Sequence, residues 1–305
     1  MIYTFGHQFA ATDNDSIIAS ITLSELLKKL GFHSKPVLFN PKGVSEVTKT
    51  IFEKMGMYDL PPVITPEELA KGEFVLVDHN DPIESYGKIG INKEPIAIID
   101  HHVDVGTKAQ AKIIRRVGST CTLIAHLYQY FGVPISDQTA RALIYGIVCD
   151  TKGLKSRKTS PTDIKTVKEL MKDRDLKGLT LERVTEDVLI STDVMTTPIK
   201  TLLRNSLKEY LDGKVGVATL EVMNDEYLKR LPELQQAAWN TPYPCFILMV
   251  FQQASEQTFI YYFNKTEVVF PKEEVFDYLI SRSQGLIPNV IKQFQDAEAR
   301  QGIHV

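Results

Sequence analysis

No CxxC pair and no even set of cysteines occurs; Cys121, Cys149 and Cys245 are scattered. That excludes a disulfide-stapled scaffold and a thiolate zinc cage, and the thiols read as reduced, as in the cytosol. Cys149 lies in an apolar run and reads as packing rather than as a nucleophile. No run of about 18 apolar residues exists to cross a membrane as a helix. The start, MIYTFGHQ, lacks the basic segment and apolar stretch of an export signal. Blocks of five Lys or Arg are missing too, and Lys+Arg 35 against Asp+Glu 38 leaves a net charge of -3. A nucleic-acid surface is therefore not the expectation. There is no internal repeat and no low-complexity stretch. These absences describe a cytoplasmic protein with neither membrane nor nucleic acid as partner.

What is present is a βα alternation. At 305 residues the chain suits two domains of ordinary size. Apolar runs predict strands at Ile2–Phe5, Pro36–Phe39, Phe74–Val77 and Ile96–Ile99. Helical spacing predicts helices over Ile17–Gly31, Val44–Lys54, Gly118–Phe131, Thr139–Cys149, Ile164–Met171 and Leu179–Leu189. The fold class expected is α/β, with an N-terminal doubly wound, mainly parallel sheet and a smaller C-terminal α/β domain. The domains fall at 1–190 and 198–305, with a linker over 191–197. In the second half, Ile199–Tyr210 reads as one long amphipathic segment, Lys214–Val222, Phe246–Phe251 and Thr258–Phe263 as strands, Ala237–Cys245 as a loop and Val290–Ala297 as a helix. Trp239 is expected in the core.

The chemistry stands where strands end. Asp100, His101 and His102 follow the apolar run Ile96–Ile99, and Asp78, His79, Asn80 and Asp81 follow Phe74–Val77. His7, Asp13 and Asp15 lie between the first strand and the first helix. In parallel α/β sheets the carboxyl ends of strands open into the ligand crevice. One Asp there is accounted for as a helix cap, and Asp78 as a turn former. Two carboxylates one residue apart beside a His exceed what capping requires, and mixed carboxylate and imidazole donors suit Mn²⁺ or another divalent cation. Asp150 ends a helix, where the dipole disfavours an acid, so local preference is overruled there. His126 reads as a packed or surface histidine.

In this order the segments GHQ…DNDSI, VDHND, IDHH, ALIYGIVCDT and SRKTSPTD, followed by LKEY and SRSQGLIP, resemble the DHH phosphoesterase superfamily and, within it, the manganese-dependent family II inorganic pyrophosphatases. The resemblance covers nearly the whole chain. It implies an enzyme with two Mn²⁺ per site, or Co²⁺ or Mg²⁺ in the same cage, hydrolysing pyrophosphate through a hydroxide that bridges the metals. It implies His7, Asp13 and Asp78 as ligands of one metal, and Asp15, Asp78, His101 and Asp150 as ligands of the other. His102 would face the substrate, Asp100 would orient an imidazole, and Lys208 and Arg282 would clamp phosphate. A homodimer paired through the N-terminal domain belongs to the same expectation. The chain departs from the pattern twice: Asp13 comes six residues after His7 where the family has four, and Ser283 stands where the family has a lysine after the arginine. A related exopolyphosphatase or other phosphoesterase, and a weakened DHH protein serving as a nucleotide-sensing or interaction module, therefore remain alternatives.

Overall fold

The structure, a computed structural model, describes residues 1–8, 13–40, 44, 46–56, 59–156, 158–188, 194–222, 224–252 and 254–300, with the side chains of 46, 47, 205, 283 and 284 left out. The chain divides into two compact units, one of residues 1–154 and 158–188, the other of residues 155–157 and 189–305.

The first unit is built on a parallel sheet of β1 (Ile2–Phe5), β2 (Ser34–Pro36), β3 (Glu73–Val77), β4 (Ala97–Asp100) and β5 (Ala111–Ile114), in the order β2-β1-β3-β4-β5. Helices cover it: α1 (Asn14–Lys29), α2 (Glu46–Met55), α3 (Pro66–Lys71), α4 (Thr120–Tyr130), α5 (Asp137–Asp150), α6 (Pro161–Met171) and α7 (Leu181–Val188). Phe74–Val77 of β3 and Ala97–Ile99 of β4 are continuous apolar runs because both faces are covered. Their order reverses between β1 and β3, and at such a switch point the loops leaving two neighbouring strands part to form a crevice.

Helix α1 is buried on nearly every side, packing on the sheet and against α4 and α5. Close approach is allowed by small residues: a Cβ on Gly146 of α5 would lie 2.4 Å from Cys121 Sγ and 3.4 Å from Ile18 Cγ2. Caps fix the helix starts. Asp13 accepts from Ser16 N, Ser119 from Cys121 N, and Ser160 and Asp163 form a reciprocal capping box with Pro161 in the first turn of α6.

The second unit holds α8 (Ile199–Asn205), β6 (Lys208–Tyr210), β7 (Val215–Val222), α9 (Leu231–Trp239), β8 (Cys245–Gln252), β9 (Gln257–Asn264), β10 (Glu273–Phe276) and α10 (Ile287–Arg300). Its mixed sheet runs β10-β9-β8-β7-β6, with only β7 and β8 parallel. Each face buries its own core. Ala218, Leu220, Phe246 and Leu248 pack with Leu203 and Leu234 from α8 and α9, whereas Val215, Val217, Ile247 and Met249 pack with Val290 and Phe294 from α10.

Several expectations are corrected. The second strand ends at Pro36 rather than running to Phe39; Val37 N still donates to Thr4 O at 3.0 Å, and Leu38 makes a lone bridge to Val63. The segment Ile199–Tyr210 is not one element. It breaks where Ser206 Oγ bonds the backbone of Thr219, giving α8 and then β6. The expected loop at Ala237 begins three residues later, because α9 continues to Trp239. That tryptophan is 51 % exposed, with Lys265 Nζ 6.0 Å from its ring centre, rather than in the core. Of the expected linker, 191–193 lie outside the described residues, and the turn that follows is held by Arg230 Nη1, which donates to the carbonyls of Val194 (2.7 Å) and Thr197 (2.8 Å). Leu189, the expected end of α7, also lies outside the described residues.

Candidate metal centre

Three strand ends and two helix ends meet at the switch point. His7 leaves β1, Asp78 leaves β3, and Asp100, His101 and His102 close β4; Asp13 and Asp15 start α1, and Asp150 ends α5. A Cβ on Gly6 would lie 2.4 Å from Ser16 Cβ, so only glycine lets the start of α1 press against the exit of β1. In consequence Ser16 Oγ donates to Asp78 Oδ2 at 2.6 Å. Asp78 adopts a left-handed backbone with φ of +59°, a conformation costly for most residues and more tolerable for Asp, while its N–H donates to Ile99 O at 3.0 Å. That turn aims its carboxylate back over the sheet edge, where Thr120 Oγ1 donates to Oδ1 at 3.0 Å.

Asp15 is seated on the start of α4. Its carboxylate accepts from Ser119 Oγ at 2.6 Å, Thr120 N at 2.7 Å and Cys121 N at 3.0 Å, which uses the unpaired donors that every helix start offers an anion. The same segment is locked from behind by buried Asp163, which accepts from Gly118 N at 2.8 Å and Thr122 Oγ1 at 2.6 Å. Even so, burial and then the charges of Asp78, Asp150 and Asp13 push Asp15 well above the usual carboxylate range. Such crowding of acids is relieved by a cation. In Asp78, burial and Asp13 act upward, but the hydrogen bond with His101 and the charges of His102 and His101 bring the net value down.

The histidines carry the decisive geometry. Val117 O fixes His101 Nδ1 at 3.0 Å, leaving Nε2 aimed at Asp78 Oδ1 (3.2 Å) and Asp150 Oδ2 (3.3 Å). With Nδ1 turned to that carbonyl, Nε2 faces two carboxylate oxygens, an arrangement that calls for positive charge there, whether a proton on Nε2 or a bound cation. His7 Nε2 lies 3.5 Å from Asp13 Oδ2. Among the described residues, His7 Nδ1 and Asp150 Oδ2 are buried without hydrogen-bond partners. His7, Asp13 and Asp78 can each bring a ligand atom within 4.8 Å of the others, and so can Asp15, His101 and Asp150; Asp78, Asp100, His101 and His102 form a third such group. The residues present thus fit divalent cations with oxygen and nitrogen donors.

His102 turns outward with 37 % of its side chain exposed, and its Nδ1 is held by Asp100 Oδ1 at 2.8 Å. Burial opposes its charge, but the hydrogen bond to Asp100 and the charges of Asp78 and Asp100 lift it to about 9. Although burial works the other way, the bonds from His102 and Asn80 hold Asp100 far below the usual range.

Residues 1–147 match the family model described as DHH family, N-terminal domain. This stretch of the chain is similar to the N-terminal domain of the DHH family. Asp100, His101 and His102 lie within the matched stretch. A manganese-dependent inorganic pyrophosphatase of Methanothrix thermoacetophila is 28% identical over 274 residues, covering 85% of this chain and 85% of that one. A protein of Lactobacillus helveticus named probable manganese-dependent inorganic pyrophosphatase is 25% identical over 308 residues, covering 95% of this chain and 94% of its own. In fold, the chain is similar to the crystal structure of a Methanococcus jannaschii protein assigned to the family II inorganic pyrophosphatases, with a TM-score of 0.79 at 22% identity over 97% of this chain and 100% of that one. No helix among the described residues is long and apolar enough to cross a membrane.

The remaining two site candidates lie in the second unit. Lys208 opens β6 opposite Val217, and Arg282 Nη1 donates to the carbonyls of Ser206 and Val217, the latter at 3.5 Å, so residues 74 apart in sequence gather around one strand. The side chain of Ser283 lies outside the described residues, as do 9–12 of the longer loop between His7 and Asp13. Sequence reasoning left three contributors without a role. Asn80 donates to Asp100 Oδ2 at 2.6 Å and to Val103 O at 3.0 Å, Asp163 locks the start of α4, and Lys158 forms an ion pair with Asp150. The one signal for Asp163 was its place three residues after Ser160, the spacing of a capping box. His126 is half-buried, with Nε2 3.1 Å from Thr166 Oγ1, away from these groups.

Proposed function

We propose that this chain is a metal-dependent inorganic pyrophosphatase, cleaving pyrophosphate with water to two phosphates. The observation that carries the reading is Asp78: its carboxylate belongs both to the group with His7 and Asp13 and to the group with His101, so it can serve two cations at once. His7, Asp13 and Asp78 hold one ion in this reading, and Asp15, Asp78, His101 and Asp150 the other. Two Mn²⁺ ions, or Co²⁺ or Mg²⁺ in their place, supply positive charge for the phosphoryl oxygens and lower the pKa of a water toward neutrality.

The chain's own groups do the rest. The water oxygen bonds to one phosphorus, the bridging P–O bond breaks, and a proton passes to the departing phosphate. His102 is the donor placed for that proton, because Asp100 fixes Nδ1 and leaves Nε2 to face the substrate. Lys208 as a point charge and Arg282 as a fork bind the phosphate oxygens. The relatives named above and the acidic balance of the chain support a small anionic substrate, no nucleic-acid partner and work in the cytoplasm. The homodimer rests on the resemblance alone.

The test is phosphate release by Mn²⁺-loaded protein from pyrophosphate, medium-chain polyphosphate and a phosphomonoester, side by side. Rapid release from pyrophosphate alone is expected. Preference for polyphosphate would move the chain to the exopolyphosphatase reading, which Ser283 in place of a cationic residue favours. No release from any of the three would overturn the hydrolase.

A further inference from the structure

Among the described residues, Lys158 of the first unit brings a cation into the acidic centre, and the mechanism above does not use it. Lys158 pairs its ammonium with Asp150 Oδ1, and each side chain is only 17 % exposed. The other oxygen of Asp150 is buried without a hydrogen bond and lies 3.3 Å from His101 Nε2. Asp150 is therefore shared between a resident ammonium on one edge and the vacant electron pairs of a ligand group on the other.

The place of Lys158 is dictated by its neighbours. Thr151 closes α5 and Ser160 caps α6, so Lys158 lies on the short crossing between two fixed helix ends, two residues before the cap. Burying an ammonium is costly without a counter-charge, and Asp150 provides it. A divalent cation arriving at Asp15, His101 and Asp150 meets this ammonium at contact range in a water-poor site, where like charges repel most strongly.

We propose that Lys158 is a built-in counter-ion that sets the affinity of the second metal position, occupying Asp150 until the cation displaces it. The cation at Asp15, His101 and Asp150 then binds more weakly than those ligands alone would hold it. This inference rests on the metal centre of the preceding reading, and it concerns affinity, not turnover.

The experiment is a Mn²⁺ titration of chelator-stripped full-length protein, with free Mn²⁺ followed by electron paramagnetic resonance. Two classes of site are expected in the wild type. In Lys158→Met the weaker constant should tighten by roughly tenfold or more, as a removed like charge requires, while the tighter constant stays within about twofold. Lys158→Arg keeps the charge and should keep the two classes apart. Should Lys158→Met not fold, as judged by its melting curve, Lys158→Gln removes the charge but retains a donor for Asp150, and it should shift the weaker constant in the same direction. An unchanged or weakened second constant in the charge-removing variant would overturn the proposal while leaving the pyrophosphatase reading intact. A wild type that takes up no Mn²⁺ would overturn both.

Discussion

The two sides of Asp78 are built differently. On one side Asp15 and His101 are almost wholly buried, and each is held by partners from other parts of the chain: Asp15 by the start of α4, His101 by Val117 O. On the other side Asp13 is 51 % exposed, and the buried ring of His7 has an unpartnered Nδ1. The first side is oriented before any cation arrives. The second is assembled from a helix cap and a strand exit. Preorganised ligands lose less freedom on binding, which favours affinity on the Asp15 side; the ammonium of Lys158 opposes it there.

The largest effect that would sharpen this comparison comes from the residue the two sides share. Asp78→Asn should lose both cations and lower phosphate release by more than about a hundredfold, since changes even to outer partners of ligands cost 10–100-fold. Metal analysis of the purified variant beside its turnover checks this. Asp163→Ala should follow: it leaves Gly118 N and Thr122 Oγ1 without their acceptor and costs about 3 kcal/mol of stability, measured by urea unfolding. Its damage should fall on the Asp15 side alone. Asn80→Ala loosens Asp100 and should reduce turnover by about tenfold with metal content unchanged. Asp13→Asn, which retains a helix cap, should leave the urea midpoint nearly unmoved while lowering Mn²⁺ affinity on the His7 side by about tenfold.

The smallest effect is one of pH. In stripped protein His102 stands at about 9, above the value of about 6.5 for free imidazole. Its pairing with Asp100 therefore contributes stability that is complete below about pH 6.5 and is lost as the pH rises through about 9. Thermal melts of stripped wild type and His102→Gln at pH 6 and pH 9.5 should show a gap that narrows at the higher pH. A gap that widens would contradict the pairing.

Much of this was legible in the sequence, for physical reasons. The runs at β3 and β4 are apolar throughout because both faces are buried, and the acids that follow them break the pattern at once. Asp150 declared itself by standing where the helix dipole disfavours it. What stayed hidden is tertiary. Asp163 matters through Gly118 and Thr122, 45 and 41 residues away, and Lys158 through the carboxylate it meets, neither of which a local pattern encodes. The short strand β5 and the helix α3 offer too few residues for a period to show. Trp239 was misplaced because aromatic composition marks burial only on average, and the end of α9 reaches solvent.

The central claim is that one carboxylate serves two cations. Counting bound Mn²⁺ per chain in wild type and Asp78→Asn at saturating free Mn²⁺, by equilibrium dialysis and metal analysis on protein shown to be folded, tests it most directly. Two ions per wild-type chain and neither in the variant is the predicted result. A wild type that holds only one ion, or a variant that still holds two, would contradict the shared ligand.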